Sequence, residues 1–321
     1  MDLDLIFLGT GGSVPSARRN TASVLVRRGG DRLLFDCGEG TQRQMQRSTG
    51  LVQATDVFIT HLHADHYLGL PGLIKTWEMQ DRTEPLFIYG PPGLREVFAS
   101  MARIVGRVRY EVELDELEPG ARVNFDGYSV EAFEVEHRIA AFGYLLAEQE
   151  RPGRFDPELA RSLGVAEGPD FGRLQRGEEV GGSDGPVRPD QVMSEARAGR
   201  RIVITGDTRA CTGTRVAAEG AEVLVHDASF ADSEVERAAE TGHSTARQAA
   251  ALAAEAGVKL PALVHISARH FVPEILAEAR EEHPGAIAPR DFDRIEIPLP
   301  EKGEPRLIKE GALAEAAKES E

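Results

Sequence analysis

The sequence predicts a layered α/β domain in which sheets are covered by helices, and three observations predict it. Short runs rich in Val, Ile, Leu and Phe recur along the chain, each ending at a turn or a polar residue. Helical patterns lie between several of these runs. The chain has 321 residues with 41% hydrophobic content, enough to bury a full-sized core without disulfide staples. Strands and helices in this alternation bury their apolar faces by packing in layers.

The predicted strands begin with residues 3–8, 22–26 and 32–35 and continue with 56–59. A helical pattern over 69–78 follows, then a strand over 86–89 and a second helix over 93–104. Residues 128–135 alternate in burial character as a half-buried strand does, and 201–205 and 221–225 are compact apolar runs. A third helix spans 245–256 and ends at Gly257, as a glycine C-cap would end it. A strand over 261–264 and a helix over 273–282 complete the pattern.

One stretch departs from it. Residues 148–199 are polar and punctuated by Gly and Pro (Arg151-Pro152-Gly153-Arg154, Gly168-Pro169, Gly181-Gly182-Ser183-Asp184-Gly185-Pro186), with charges of both signs. That is too long for an ordinary loop in a compact domain, so it reads as a disordered insertion or as a protruding functional arm. The domain is expected over residues 1–302, with the insertion inside it and an acidic, frayed tail over 303–321.

Cys37 and Cys211, the two cysteines, stand outside any CxxC pattern, which suggests neither a disulfide framework nor a thiolate metal site. The first residues carry acids where a signal peptide carries its positive region, and no run reaches the roughly 20 apolar residues of a membrane span. A cytoplasmic protein with no membrane partner is expected. The net charge of −16 ordinarily argues against a nucleic-acid ligand. Yet residues 1–50 hold seven arginines (Arg18, Arg19, Arg27, Arg28, Arg32, Arg43, Arg47) against five acids, which allows a locally basic face.

The chemistry is concentrated in His61-Leu62-His63-Ala64-Asp65-His66, directly after a predicted strand. Four ligand-type side chains in six residues, where a strand runs out into irregular backbone, can converge on a metal. Imidazole and carboxylate without thiolate suit zinc, with manganese or iron as alternatives. The competing reading is a surface His-rich turn. Further metal-capable residues leave later strands: His137, Asp207 and His265. Taken singly, His137 or His265 reads more often as a structural histidine. Together they complete two sites, with His61, His63 and His137 for one metal and Asp65, His66 and His265 for the other, and Asp207 as a bridging carboxylate. Such a pair clamps a phosphoryl group and brings a bound water's pKa to about 7.

At this point the sequence resembles ribonuclease Z, the tRNA 3'-processing endonuclease family of the metallo-β-lactamase superfamily. The HxHxDH signature alone marks the superfamily. The resemblance to the narrower family rests on Phe7-Leu8-Gly9-Thr10-Gly11-Gly12, on Leu34-Phe35-Asp36-Cys37-Gly38-Glu39-Gly40-Thr41-Gln42 and on Gly206-Asp207-Thr208-Arg209. His243-Ser244-Thr245 and His265-Ile266-Ser267-Ala268-Arg269 complete it, so that it spans residues 7–270.

The resemblance implies a four-layer αβ/βα sandwich holding two zinc ions per subunit. It implies cleavage just downstream of the discriminator nucleotide of precursor tRNA, leaving a tRNA 3'-hydroxyl and a 5'-phosphorylated trailer. Asp65 would orient or deprotonate the attacking water, and His243 would protonate the leaving oxygen. Read without the family, His243 is a histidine near a helix start where Ser244 or Thr245 could cap. The family's HEAT glutamate corresponds to Asp227, one methylene shorter, as the support of His243. Residues 148–199 become the exosite arm that grips tRNA, typically from the partner of a homodimer, with Gly168, Pro169 and Arg173 as binding residues beside Arg151, Arg154 and Arg176. Arg18 and Arg19 are further expected RNA contacts, in Pro15-Ser16-Ala17-Arg18-Arg19-Asn20. There the lysine of the PxKxRN loop is replaced by Ala17, so rejection of CCA-ended tRNA is not carried over. His270 stands where relatives often have tyrosine and is not assigned to metal.

Two other classes compete with this reading. A small-molecule phosphodiesterase, sulfatase or thioester hydrolase on the same core needs no reaching arm. A non-enzymatic RNA-binding relic would be expected to have lost some of the seven ligand positions.

Overall fold

A computed structural model describes residues 1–309. In chain order the strands are β1 (Leu3–Gly9), β2 (Ser23–Arg28), β3 (Asp31–Phe35), β4 (Asp56–Phe58), β5 (Leu86–Gly90), β6 (Val112–Glu116), β7 (Arg122–Phe125), β8 (Tyr128–Glu134) and β9 (Phe142–Glu148). They continue with β10 (Val180–Gly182), β11 (Gly185–Val187), β12 (Arg201–Ile204), β13 (Val223–Asp227), β14 (Leu260–Val264), β15 (Arg294–Glu296) and β16 (Arg306–Ile308). The helices are α1 (Thr41–Ser48), α2 (Ala64–Tyr67), α3 (Leu70–Met79), α4 (Leu94–Val105), α5 (Pro157–Ser162), α6 (Pro169–Gln175), α7 (Pro189–Val192), α8 (Thr212–Ala217), α9 (Val235–Thr241), α10 (Ala246–Glu255) and α11 (Val272–Glu282).

The chain divides into two units, the larger formed by residues 1–147 with 200 onward and the smaller by Glu148–Gly199. Two sheets build the larger unit. One has the order β16-β15-β1-β2-β3-β4-β5-β6, the other β14-β13-β12-β9-β8-β7. Alternate side chains of each sheet meet between them, including Leu5, Phe7, Val26 and Phe35 from one and Val130, Tyr144, Ile204 and Val225 from the other. Phe58 stands at the centre of this seam, its ring 5.1 Å from Phe35 and 5.2 Å from Tyr144. Such aromatic pairs contribute about 0.5–1.5 kcal/mol each beyond area burial. The opposite face of the first sheet carries Leu8, Leu34, Val57 and Ile88 against Met45 of α1, Trp77 of α3 and Met101 of α4. The opposite face of the second carries Val203 and Leu224 against Ala217 of α8 and Leu252 of α10. The result is the four-layer αβ/βα sandwich that the resemblance implies.

Strands β3 to β6 run parallel, as do β12 to β14. Their carboxyl ends therefore open onto loops at one edge, the place where α/β sheets present ligand-binding residues. The Tyr144 hydroxyl donates to the Ile59 carbonyl at 2.7 Å and the Phe142 amide to the Thr60 carbonyl at 2.8 Å, tying the sheets together at that edge.

The smaller unit is ordered. Helices α5, α6 and α7 and the β10–β11 hairpin enclose Ala160, Val165, Leu174, Val180, Val187 and Val192. Asp156 caps α5 by accepting the Leu159 amide at 2.9 Å, and Gly168 stands at the N-cap of α6 with Pro169 in its first turn.

The expected fraying after Glu301 does not hold for residues 306–308. Here β16 pairs with β15, Leu307 packs toward the seam between the sheets, and Arg306 pairs with Glu296 at 2.7 Å. Two apolar residues, Leu307 and Ile308, between charged neighbours are enough for an edge strand, too little for the composition to signal. Residues 310–321 of the expected tail lie outside the described residues.

Candidate metal centre

Strand β4 ends at Phe58, and the chain after it turns into α2, so that His61, His63, Asp65 and His66 follow one another around a tight corner. His137 comes from the loop after β8, Asp207 from the end of β12 and His265 from the end of β14. All seven come together. Nε2 of His61 lies 2.9 Å from Nδ1 of His63, which is 3.2 Å from Nε2 of His137. On the other side, Nε2 of His265 lies 3.4 Å from Oδ2 of Asp65, and Nε2 of His66 lies 3.6 Å from the same oxygen. Asp207 stands between the two sets. Its Oδ2 is 3.7 Å from His61 Nε2, while its Oδ1 is 3.3 Å from both His66 Nε2 and His265 Nε2. Ligand atoms about 2.0–2.1 Å from a tetrahedral ion stand about 3.3 Å apart, which is the spacing found.

The surrounding hydrogen bonds fix which nitrogen faces inward. His137 Nδ1 donates to the Gly242 carbonyl at 2.8 Å, and His66 Nδ1 donates to Asp36 Oδ2 at 2.7 Å. The Thr60 hydroxyl donates to Asp36 at 2.9 Å, which leaves it to accept from His61 Nδ1 at 3.1 Å. By the same logic the Ser229 hydroxyl donates to Asp227 at 2.6 Å and accepts from His265 Nδ1 at 2.8 Å. With each Nδ1 donating, each Nε2 is left with a lone pair directed into the site. Lone pairs converging at this distance repel unless a cation lies among them. His66 Nε2 and Asp207 Oδ1 are moreover buried without any hydrogen-bond partner, a cost that ligation removes. Burial opposes a charge on His66, yet Asp207 and Asp36 outweigh it and hold its pKa well above the ordinary value. The two carboxylates thus favour positive charge at Nε2, which a proton carries when no metal is bound and which a metal would supply in its place. The residues fit a pair of divalent metals.

Two backbone features make this approach feasible. Gly12 passes His265 so closely that a Cβ would stand 2.5 Å from its carbonyl oxygen, and Gly206, at φ 62°, would drive one into the Thr60 side chain at 2.5 Å. Asp36 and His265 themselves hold left-handed backbone at φ 56° and 58°. Strain of about 1–3 kcal/mol at such positions is typical of residues held for function.

His243 stands next to the metal cluster, its ring stacked on His265 with centroids 5.2 Å apart. Its Nδ1 donates to Asp227 Oδ2 at 2.7 Å, so the shorter carboxylate reaches the histidine. Asp227 also lies within metal-binding reach of Asp207, His243 and His265. Its oxygens are already engaged, however, Oδ1 with the Ser229 amide and hydroxyl and Oδ2 with the Thr208 amide and His243. Burial lowers the His243 pKa, but the Asp227 carboxylate prevails and raises it to about 9. The ring then carries both protons at neutral pH. His270 is occupied by Glu234 at 2.9 Å, apart from the metal cluster.

The expected RNA contacts divide. Arg18 is exposed. Arg19 is turned inward, its Nη1 donating to Thr10 and to the Pro289 carbonyl at 2.8 Å, so it shapes its loop from within. In the smaller unit Arg173 is paired with Asp170 at 3.2 Å and Glu178 at 3.0 Å, and Arg176 with Glu178 at 3.3 Å.

Sequence reasoning missed the residues behind the ligands. Asp36, Thr60 and Ser229 orient His66, His61 and His265. The available signal was positional, since each follows a strand of a parallel set just as the ligands do.

The metallo-β-lactamase superfamily model matches residues 17–264. A ribonuclease Z of Halorubrum lacusprofundi is 47% identical over 310 residues, covering 95% of this chain and 100% of that protein. One from Myxococcus xanthus is 47% identical over 302 residues, covering 93% and 98%. Among solved structures, the short form of human tRNase Z superposes with a TM-score of 0.66 at 28% identity, over 92% of this chain and 99% of that one.

Proposed function

Because the chain belongs to the ribonuclease Z family of the metallo-β-lactamase superfamily, we propose that it is an endoribonuclease that removes 3' trailers from precursor tRNA. The products are a tRNA 3'-hydroxyl and a 5'-phosphorylated trailer. The observation that carries this reading is Asp207, which turns one oxygen to His61 and the other to His66 and His265. Two zinc ions, with manganese or iron as alternatives, would be held by His61, His63 and His137, by Asp65, His66 and His265, and by Asp207 between them, and would supply Lewis acidity for the scissile phosphate and the attacking water.

The remaining work falls to side chains. Asp65 is held by the Ser13 amide at 3.0 Å and takes the proton of the attacking water. His243, protonated and steadied by Asp227, gives its Nε2 proton to the departing 3'-oxygen of the tRNA. Gly168, Pro169 and Arg173 belong to a unit that serves as exosite for the tRNA body. Since Arg173 is already paired with acids, it contributes by exchanging those partners for phosphate. The enzyme acts as a homodimer in the cytoplasm; no helix among the described residues is long and apolar enough to cross a membrane. Incubation with precursor tRNA, with and without encoded CCA, followed by mapping of the 3' end, tests the reading. A cut immediately after the discriminator nucleotide is expected, and an intact precursor in the presence of zinc or manganese would overturn it.

A further inference from the structure

Two stretches of chain leave the metal centre side by side. Ser13 donates its amide toward Asp65 and His265, and Gly11 forms a parallel bridge with Ile266. The chain beyond each, 15–20 on one side and 266–273 on the other, becomes the wall of a groove of about 1220 Å³, with α1 and residues 290–292 forming the rest. Apart from Arg18 and Arg19, the expected RNA contacts of its first wall, no residue of this groove has a role in the reaction described above.

Its lining is unlike the rest of this acidic protein. Arg18, Arg43, Arg47 and Arg290 all face it and are exposed. Among the described residues none of these four forms an ion pair, whereas many arginines elsewhere, such as Arg122, Arg161 and Arg247, are matched with acids. The guanidinium carbon of Arg47 stands 4.7 Å from the centre of the Phe292 ring, a cation–π contact that leaves its charge unneutralised. Phe271 projects from the opposite wall with 63% of its surface exposed, a large apolar ring kept in water. Of the two acids in the groove, Asp291 is consumed by Asn20, Thr10 and Gln44, and Glu39 is the one exposed opposing charge.

Unpaired guanidinium groups beside an exposed aromatic ring match a single-stranded nucleic acid, which offers phosphates and an unstacked base together. A duplex hides its base faces and cannot use Phe271. Given the ribonuclease reading, on which this step rests, His243 marks the side on which the tRNA oxygen departs. The strand that keeps the phosphate then runs out elsewhere, along the walls that begin at Ser13 and His265. We propose that this groove binds the single-stranded 3' trailer of the precursor, with its phosphates on Arg43, Arg47 and Arg290 and a base stacked on Phe271.

The test uses the full chain with its metals and a fluorescein-labelled, 5'-phosphorylated oligouridylate of about ten nucleotides, a length in the range that single-strand grooves cover. Binding is read by fluorescence anisotropy at several salt concentrations. Wild type should bind it, and R43A/R47A should weaken binding at least about tenfold and flatten the slope of log affinity against log salt by about 1.4, or 0.7 per lost phosphate contact. F271A should weaken binding by about fivefold or more, as for one lost base stack, without changing that slope. In processing assays the KM ratio of R43A/R47A to wild type should grow with trailer length. Unchanged oligonucleotide binding in both variants overturns the proposal. So does an equal loss on double-stranded RNA or a KM ratio independent of trailer length, either of which places the tRNA body in the groove. A wild type that binds the oligouridylate through these residues yet cleaves no precursor would remove the ribonuclease reading and leave the groove a single-strand site.

Discussion

Asp65 and Asp36 are both carboxylates beside histidine, but they occupy opposite sides of the ligand ring. Asp65 faces the site, so Asp65→Ala should abolish precursor cleavage while circular dichroism and thermal melting show the fold retained. Near-normal turnover would take it out of the mechanism. Asp36 lies behind His66 and Thr60, so Asp36→Ala should lower zinc affinity by about 10–100-fold, as loss of an orienting carboxylate does. Competition with a chromophoric chelator measures this. His243→Ala should lower kcat by about 10²–10⁴ with little change in RNA affinity, the loss expected for one proton donor. The seven residues around the metals were legible in the sequence because ligand-type side chains at strand exits stand out against apolar runs. Asp36, Thr60 and Ser229 were not, because a lone Asp, Thr or Ser at a strand end is also what any turn uses.

Most elements with a buried stripe were readable for the same kind of reason, although β9, buried from Phe142 to Leu146, was not among the predicted strands. The observed α3, α4, α10 and α11, and the strands β1 to β5, fall within two residues of the predicted bounds. Helix α1 escaped because only Thr41, Gln44 and Met45 of its eight residues are buried. Strand β6 escaped because acids alternate with Val112 and Leu114. At the start of α10, Thr245 accepts the Gln248 amide and the Gln248 side chain accepts the Thr245 amide in return. Thr245→Ala should therefore cost about 1 kcal/mol, visible as a lowered melting temperature. Because His243 lies two residues before this cap, kcat should fall as well, and a fall in stability alone would show that the cap does not position the histidine. The smaller unit bears on substrate choice. Deleting residues 150–195 should impair precursor-tRNA processing far more than hydrolysis of a small phosphodiester, whereas equal losses would count against an exosite.

For the molecule as a whole, net charge and local charge point in different directions. A body at −16 repels RNA, so binding must rely on the few places where arginines lack acidic partners, and affinity should fall steeply with salt. The metals matter to the whole molecule too. Ions that bind the folded but not the unfolded chain stabilise it by mass action, so chelation should lower the melting temperature and added zinc should restore it. An unchanged melting curve would mean that the folded chain binds no such ion more tightly than the unfolded chain does. His61, His63, Asp65 and His66 come from the first sheet's loops, whereas His137, Asp207 and His265 come from the second's. Parting the sheets would therefore divide both ligand sets at once, leaving each ion at most two of its own ligands on one side. The rate at which metal escapes becomes a clock for the opening of the sandwich, and a chelator that traps the freed ion reports how often the two sheets separate.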